Sequence, residues 1–160
     1  MNILKNISKL LPEKIAFAHC DIPCGIYDPY IIQRAAHTIL RMTQLLSELK
    51  SEDQKKMAHD ISRMTHVKEE HVDLLEEELG TLRNDYFKEE HFKIYSDLES
   101  LFTETLKTAS KARQEINLEA ANEVLMGVLK IAEIFFKTKN VEPVKVTSVY
   151  PTGGEIVLHK

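Results

Sequence analysis

The residues best suited to chemistry lie close together near the start of the sequence, in the stretch AFAHCDIPCGIYDP (residues 16–29). It contains both cysteines of the chain, Cys20 and Cys24, and His19 directly before the first of them. A structural zinc site normally takes four side-chain ligands, and only three converge here. The Cys-x-x-x-Cys spacing also lacks the βαβ context of a thioredoxin-type redox pair. The simplest alternative is a Cys20–Cys24 disulfide, or two idle thiols in a flexible arm.

The tripeptide before His19 indicates how a metal site could be completed. Ala-Phe-Ala (residues 16–18) resembles a small-residue processing site, whereas lysines interrupt every apolar run that could serve as a secretory signal. We therefore predict that residues 1–18 form a leader that is removed. Cleavage would give His19 a free amine. That amine, the deprotonated amide nitrogen of Cys20 and the two thiolates could form a planar set of two nitrogens and two sulfurs, which suits nickel(II) or copper(II), with the imidazole as axial ligand.

Composition and charge describe an ordinary acidic protein. The chain has 160 residues, of which 43% are apolar and 29% charged, enough for one domain with its own core. The net charge of -4 argues against a nucleic-acid partner, whose binding surface would be basic. No apolar run approaches the roughly 20 residues of a membrane span, and two cysteines are too few for a disulfide scaffold.

The body of the chain has helical periodicity. Asp28 is suited to cap the first helix, with a proline at the first helical position. Ser51 and Ser96 each begin a capping box, which predicts the starts of the second and third helices. Four apolar faces recur at three- and four-residue spacing. They run from Ile31 to Leu49, Met57 to Leu79, Leu98 to Ala109 and Leu118 to Phe135. This pattern predicts an all-α protein, an antiparallel four-helix bundle in residues 28–139.

Residues 140–160 depart from that periodicity. β-Branched residues stand on either side of the turn-rich tetrad Pro-Thr-Gly-Gly (residues 151–154). Such an arrangement is typical of a β-hairpin. We therefore predict a short C-terminal extension, either a β-hairpin or a loosely held segment.

The helical histidines do not form a recognisable metal motif. They are His37, His59, His66, His71 and His91. None follows a glutamate by three residues, as a di-iron bundle requires, and no His-Glu-x-x-His zinc motif occurs. We interpret them as solvated or partly buried structural residues. His71 is set apart because it lies on the apolar face of the second helix, which predicts that its side chain points into the bundle or a subunit contact.

Two stretches of the sequence resemble a known protein family. HCDIPCGIYDP (residues 19–29) closely resembles the nickel hook of the nickel superoxide dismutases, and DYFKEEHFKIY (residues 85–95) is similar to that family's segment between its second and third helices. The resemblance spans roughly residues 19–139. It implies conversion of superoxide to oxygen and hydrogen peroxide, with nickel cycling between +2 and +3. It also implies a cytoplasmic homohexamer, made as a precursor whose leader is removed by a dedicated maturation protease.

The resemblance assigns the nickel ligands to residues 19–27, the hook. They are the amine and imidazole of His19, the amide nitrogen and sulfur of Cys20, and the sulfur of Cys24. Anionic thiolate and amidate donors make the +3 state of nickel reachable, while the protein supplies orientation and restricted access.

Further residues receive roles by the same resemblance. Tyr27 and Tyr86 correspond to two tyrosines near the open face of the metal. Asp21 belongs to the hydrogen bonding of the loop. Lys88 would attract superoxide through its local field, although the net charge is negative.

Two positions depart from the family. In well-known members a glutamate and an arginine hold the axial imidazole, and counting without gaps places Ala35 and His71 there. Metal-bound histidines normally have such a partner, so either His71 or another group takes that role, or the imidazole is held more loosely. Glu89-Glu90 replaces the family's proline pair. These departures keep a second class open, a non-enzymatic nickel- or copper-binding helical module.

Overall fold

The computed structural model describes residues 24–160. The predicted leader and the first five residues of the predicted hook (19–23), which include His19, Cys20 and Asp21, lie outside the described residues. Within residues 24–160 there are five α-helices, one π-helical turn and two strands. They are α1 (Tyr30–Glu48), α2 (Gln54–Thr81), the π-helical turn (Leu82–Tyr86), α3 (Glu89–Ile94), α4 (Leu98–Gln114), α5 (Leu118–Thr138), β1 (Pro143–Thr147) and β2 (Glu155–His159). The protein is thus mostly helical, as predicted. Among the described helices, none is both long and apolar enough to cross a membrane.

The long helices share one hydrophobic core. α1 packs on α2 and α5, α4 packs on α5 and α2, and α5 also contacts both strands. α5 has the most apolar sequence of these helices, and its buried side chains run from Ala120 to Phe135. The predicted face of this helix is confirmed except at its first residue, because Leu118 is exposed. α5 is therefore the element around which the others, including the hairpin, are arranged.

The two predicted capping boxes, at Ser51 and Ser96, are wrong by two residues and one residue respectively. α2 does not begin at Ser51 but at Gln54, because the Asp53 carboxylate accepts hydrogen bonds from the second and third backbone N–H groups of the helix, at 2.9 and 3.2 Å. A carboxylate is a strong N-cap, and it also interacts favourably with the helix dipole. α4 likewise has Asp97, not Ser96, as its N-cap residue. α1 begins one residue later than predicted, at Tyr30, whose N–H donates to the Asp28 side chain at 2.7 Å.

The buried face of α2 also differs from the prediction. The buried residues all lie in the C-terminal half of the helix: Lys68, Val72, Leu75 and Leu79. Ile61, predicted to be in the core, is 42% exposed. The Lys68 amine donates to the carbonyls of Ala112 and Glu115, both at 2.7 Å, at the end of α4. The last carbonyls of a helix have no partner within it, so this buried lysine stabilises the end of α4 while burial lowers its pKa.

The C-terminal extension is a β-hairpin, as predicted. β1 and β2 pair antiparallel, and the turn between them contains Gly153 and Gly154 at φ of 67° and 75°, a region that glycine adopts readily. The hairpin is docked rather than loose. The side-chain amide of Gln33 in α1 donates to the carbonyl of Val157 at 3.0 Å, and it accepts from the N–H of Val157 at 2.6 Å.

Candidate metal centre

The described chain begins at one of the predicted nickel ligands. The Cys24 side chain is exposed, and its sulfur accepts a hydrogen bond from the backbone N–H of Ile26 at 3.5 Å. Gly25 between them has a φ of 70°, and a Cβ there would meet nothing within 4 Å. Its conformation, not lack of space, therefore favours glycine at this position. An N–H donor aimed at sulfur favours the thiolate, the form that binds metals.

Tyr27 and Tyr86, both predicted to stand near the metal, are brought together. Their ring centroids are 5.5 Å apart at an interplanar angle of 50°. Tyr27 is half-buried, whereas Tyr86 is buried against Phe135, with ring centroids 4.5 Å apart. The π-helical turn ends at Tyr86 and inserts both Tyr86 and Phe87 into the core. Such turns are frequent at functional sites because they redirect side chains.

The hydroxyl group of Tyr86 has a fixed partner. It lies 2.6 Å from the Thr138 hydroxyl, which donates its only hydrogen to the carbonyl of Phe135 at 2.7 Å. Tyr86 must therefore be the donor in the first of these bonds. Burial raises the pKa of Tyr86. The group stays protonated at neutral pH, and the amine of Lys139 lies 4.8 Å from the centre of its ring.

A cavity adjoins Tyr27 where the chain enters α1. Its volume is about 190 Å³, and its lining includes Ile26, Tyr27, Ile31 and the carboxyl-bearing residues Asp28 and Glu78. Leu82, at the start of the π-helical turn, closes the other side. The end of the predicted hook, the start of α1 and the end of α2 therefore meet at one place.

Lys88 and His71 lie on other parts of the surface of the helices. Lys88 is exposed, and its amine donates to the carbonyl of Asp85 at 2.5 Å. His71 is half-buried, and its Nδ1 donates to the carbonyl of Val67 in the preceding turn at 2.8 Å. The proton of the neutral ring is thereby fixed on Nδ1, which leaves Nε2 as an acceptor. Ala35 is fully buried in the core, so that position offers no polar group.

The described residues include no group of three or more histidine, cysteine, aspartate or glutamate side chains that could hold a metal ion. Two of the three proposed ligand residues, His19 and Cys20, precede the described range. The donor set nevertheless has the right chemistry, because Cys24 presents an exposed sulfur with an amide donor beside it.

Sequence reasoning missed two structural residues: Lys68, which caps α4, and Thr138, which fixes Tyr86. His37 was interpreted as a solvated or partly buried structural residue, and it is more deeply buried than that, at 3% exposed. The His37 ring is bonded at both nitrogens, Nδ1 to the Thr152 hydroxyl at 2.8 Å and Nε2 to the carbonyl of Glu155 at 3.1 Å. The sequence signal for the burial of His37 is its spacing from Gln33, because the two residues lie one helical turn apart beside the apolar face of α1.

Comparison with known proteins identifies the family. A family model described as nickel-containing superoxide dismutase matches residues 14–139. The chain belongs to this family. The superoxide dismutase [Ni] of Streptomyces coelicolor is 32% identical over 139 residues, which cover 83% of this chain and 98% of that protein. The same values hold for the superoxide dismutase [Ni] of Streptomyces seoulensis.

Solved structures of nickel superoxide dismutase are similar to this fold. The native enzyme has a TM-score of 0.68 and 31% sequence identity, covering 76% of this chain and 99% of that one. A structure of the nickel-containing enzyme with its ligation corresponding to the oxidised state gives the same values. The hairpin of β1 and β2 begins after residue 139, where the match to the nickel-containing superoxide dismutase family ends.

Proposed function

We propose that this protein is a superoxide dismutase that converts superoxide to oxygen and hydrogen peroxide with nickel bound at a processed N-terminus, His19. The observation that carries the proposal is the sequence HCDIPCG (residues 19–25) in a chain of the nickel-containing superoxide dismutase family, followed two residues later by Tyr27, which contacts Tyr86. When bound, the nickel ion would supply the one-electron redox chemistry. Its proposed ligands are the amine and imidazole of His19, the amide nitrogen and sulfur of Cys20, and the sulfur of Cys24.

The proposed work of the two tyrosines is to control access to this site. Tyr86 is held by its hydrogen bond to Thr138 and by the surrounding aromatic rings, so it forms a rigid support for the Tyr27 ring. Because the Tyr86 hydroxyl already donates to Thr138, we assign Tyr86 a positioning role and Tyr27 the contact with superoxide. The amine of Lys139 over the Tyr86 ring places positive charge beside the tyrosine pair, in addition to the charge proposed for Lys88.

The proposal includes the maturation and assembly of the enzyme. Residues 1–18 would be a leader removed by a protease, residues 19–27 the hook, residues 28–139 an antiparallel four-helix bundle and residues 140–160 an extension. Asp21 would belong to the hydrogen bonding of the hook. The mature form would be a cytoplasmic homohexamer. Mass spectrometry of active protein that shows an intact Met1 would contradict leader removal.

The decisive experiment measures nickel content and superoxide decay on processed protein. Cys20→Ser and Cys24→Ser should each lose planar nickel binding and dismutation, because a hydroxyl does not replace a soft thiolate donor. Tyr27→Phe is the matched control for binding, since it keeps the ring and should keep the nickel. Retention of nickel and most activity by either serine variant would refute that ligand.

The comparisons favour the dismutase over a non-enzymatic nickel- or copper-binding module, and only the departures at Ala35 and His71 speak for that module. Ala35 is buried without a polar group, and the Nδ1 proton of His71 is already donated to the carbonyl of Val67, within its own helix. Metal bound at full occupancy without superoxide decay would support this module instead.

His71 is proposed as the group that would orient the imidazole of His19, with Nε2 accepting its ring N–H. His71→Ala should then retain nickel, because the proposed ligands all remain, but slow turnover. Electron paramagnetic resonance of the oxidised protein would report whether the His19 imidazole is bound to the metal. If both that signal and the rate are unchanged while the melting temperature falls, His71 is a structural residue only.

A further inference from the structure

A second cavity lies between α1 and the turn of the hairpin, apart from the predicted metal site. Its volume is about 240 Å³. Arg34 and Arg41 of α1 line it together with Met42, Tyr150 and Pro151, and most of its wall is apolar. The turn of the hairpin, beyond residue 139 and thus beyond the match to the nickel-containing superoxide dismutase family, forms one side of this cavity.

The two arginines bring positive charge that is not neutralised by carboxylates in the described part of the chain. Two of the other three arginines form ion pairs: Arg83 with Glu99, and Arg113 with Asp73 and Glu76. Arg41, by contrast, reaches only the side-chain oxygen of Gln44, at 3.4 Å. The two lining arginines stand two helical turns apart, about 10.5 Å along the axis, so their long side chains can converge on one anion.

The opposite wall is held firmly in place. His37 lies under the turn with both ring nitrogens bonded to hairpin atoms, and its ring packs edge-on against Tyr150 with centroids 4.9 Å apart. The Tyr150 hydroxyl lies 3.4 Å from that of Tyr30. Since the His37 nitrogens are occupied, this imidazole acts as a wall of the cavity and not as a donor to a ligand. A site held by packing and hydrogen bonds in this way is preformed.

We propose that this cavity binds a small single-ring carboxylate. The carboxylate pairs with Arg34 and Arg41, and the ring lies against Met42, Tyr150 and Pro151. Guanidinium groups bind carboxylates through paired, charge-assisted hydrogen bonds. Pockets for drug-sized ligands occupy roughly 300–1,000 Å³, so the smaller volume here limits the ligand to one ring. An apolar wall with a cationic rim selects against both a neutral ring and a bare inorganic anion.

The test is isothermal titration calorimetry of the full protein with benzoate. Benzoate should bind saturably. Benzyl alcohol keeps the ring without the negative charge, and inorganic phosphate keeps the negative charge without the ring, so each should bind at least tenfold more weakly. The double variant Arg34→Gln/Arg41→Gln should weaken benzoate at least tenfold. Arg63→Gln, at an exposed position of α2, is the matched control and should leave binding unchanged.

A second variant, Tyr150→Ala, removes part of the apolar wall and should weaken benzoate without affecting phosphate. Circular dichroism should be unchanged in each variant. The proposal is overturned if benzoate shows no saturable binding, if the double arginine variant binds it equally well, or if phosphate binds as tightly as benzoate. None of these outcomes depends on nickel, so the result is independent of the proposed dismutase activity.

Discussion

The buried imidazole of His37 should make the stability of this protein fall as the pH is lowered. Its Nε2 faces the carbonyl of Glu155, and a carbonyl can only accept, so the neutral ring carries its proton on Nε2 and accepts at Nδ1 from Thr152. Burial lowers the pKa of His37, although the hydrogen bond to Glu155 opposes this. In the unfolded chain the same residue has an ordinary pKa of about 6.5. The unfolded state therefore binds more protons than the folded state below that pH.

The sign and upper limit follow from linkage. Stability rises with pH wherever the unfolded state binds more protons. The contribution of His37 is thus complete above the unfolded pKa and is lost as the pH falls towards its lowered folded pKa. If the folded ring stays neutral, protonation of the unfolded state at pH 5.5 removes about 1.4 kcal/mol relative to pH 8. Partial protonation of the folded protein makes the loss smaller.

Urea unfolding from pH 8 to 5.5, at one protein concentration, measures this effect. The chain contains six other histidines, so the difference between wild type and His37→Gln isolates the contribution of His37. Glutamine is neutral throughout and can both donate and accept. As the pH falls, the free energy of unfolding of the wild type should decrease relative to that of His37→Gln by up to about 1.4 kcal/mol. His59→Gln, at an exposed position of α2, should show no such shift. A pH-independent difference between wild type and His37→Gln would refute the reasoning.

Three further changes test the packing around the site. Gly127→Ala should lower the free energy of unfolding in urea by about 1–3 kcal/mol, although alanine has the better helix propensity. The new Cβ would overlap the buried Thr105 side chain, whose Cβ and Cγ2 lie only 3.2 Å away. Adding Thr105→Ala should restore most of the lost stability, and a double variant with no recovery would exclude the clash. Lys68→Met should lower the free energy of unfolding in urea by about 1–3 kcal/mol, because it leaves the buried carbonyl of Ala112 and the partly buried carbonyl of Glu115 without their donor. A stabilised variant would contradict this. Tyr86→Phe should lower the free energy of unfolding by about 0.5–1.5 kcal/mol and should retain nickel by elemental analysis. Adding Thr138→Val should cause no further loss of stability, because both changes remove the same hydrogen bond. Additive losses would exclude that shared bond.

The elements that could be predicted are those whose signals are local. The alternating β-branched residues around Pro151 and the two glycines after it were enough for the hairpin, since turn geometry and strand pattern lie within one short segment. The face of α5 followed from its periodicity, because that helix is buried along most of its length.

The features that could not be predicted depend on partners far away in sequence. Lys68 has the composition of a solvated position, and its acceptors lie 44 and 47 positions further on. The predicted apolar face of α2 included Ile61, which is exposed because it lies in the part of the helix that the other described elements do not cover. In the structure Asp53, and not Ser51, caps α2, because its carboxylate accepts from the free N–H groups of the first turn. The capping-box motif alone does not distinguish between two such neighbouring residues. The contact of Tyr27 with Tyr86 has no signal in periodicity at all.

The bonds between Gln33 and Val157 impose an order on biosynthesis. They join residues 124 positions apart, so α1 is made long before its partner strand exists. On the ribosome the amide of Gln33 and the ring of His37 have no hairpin to bind and remain hydrated, because burying them unpaired costs free energy. Contacts of such long range also form slowly. Since α1 directly follows the segment proposed to bind nickel, a chain interrupted before β2 would lack the hydrogen bonds that tie this helix to the hairpin.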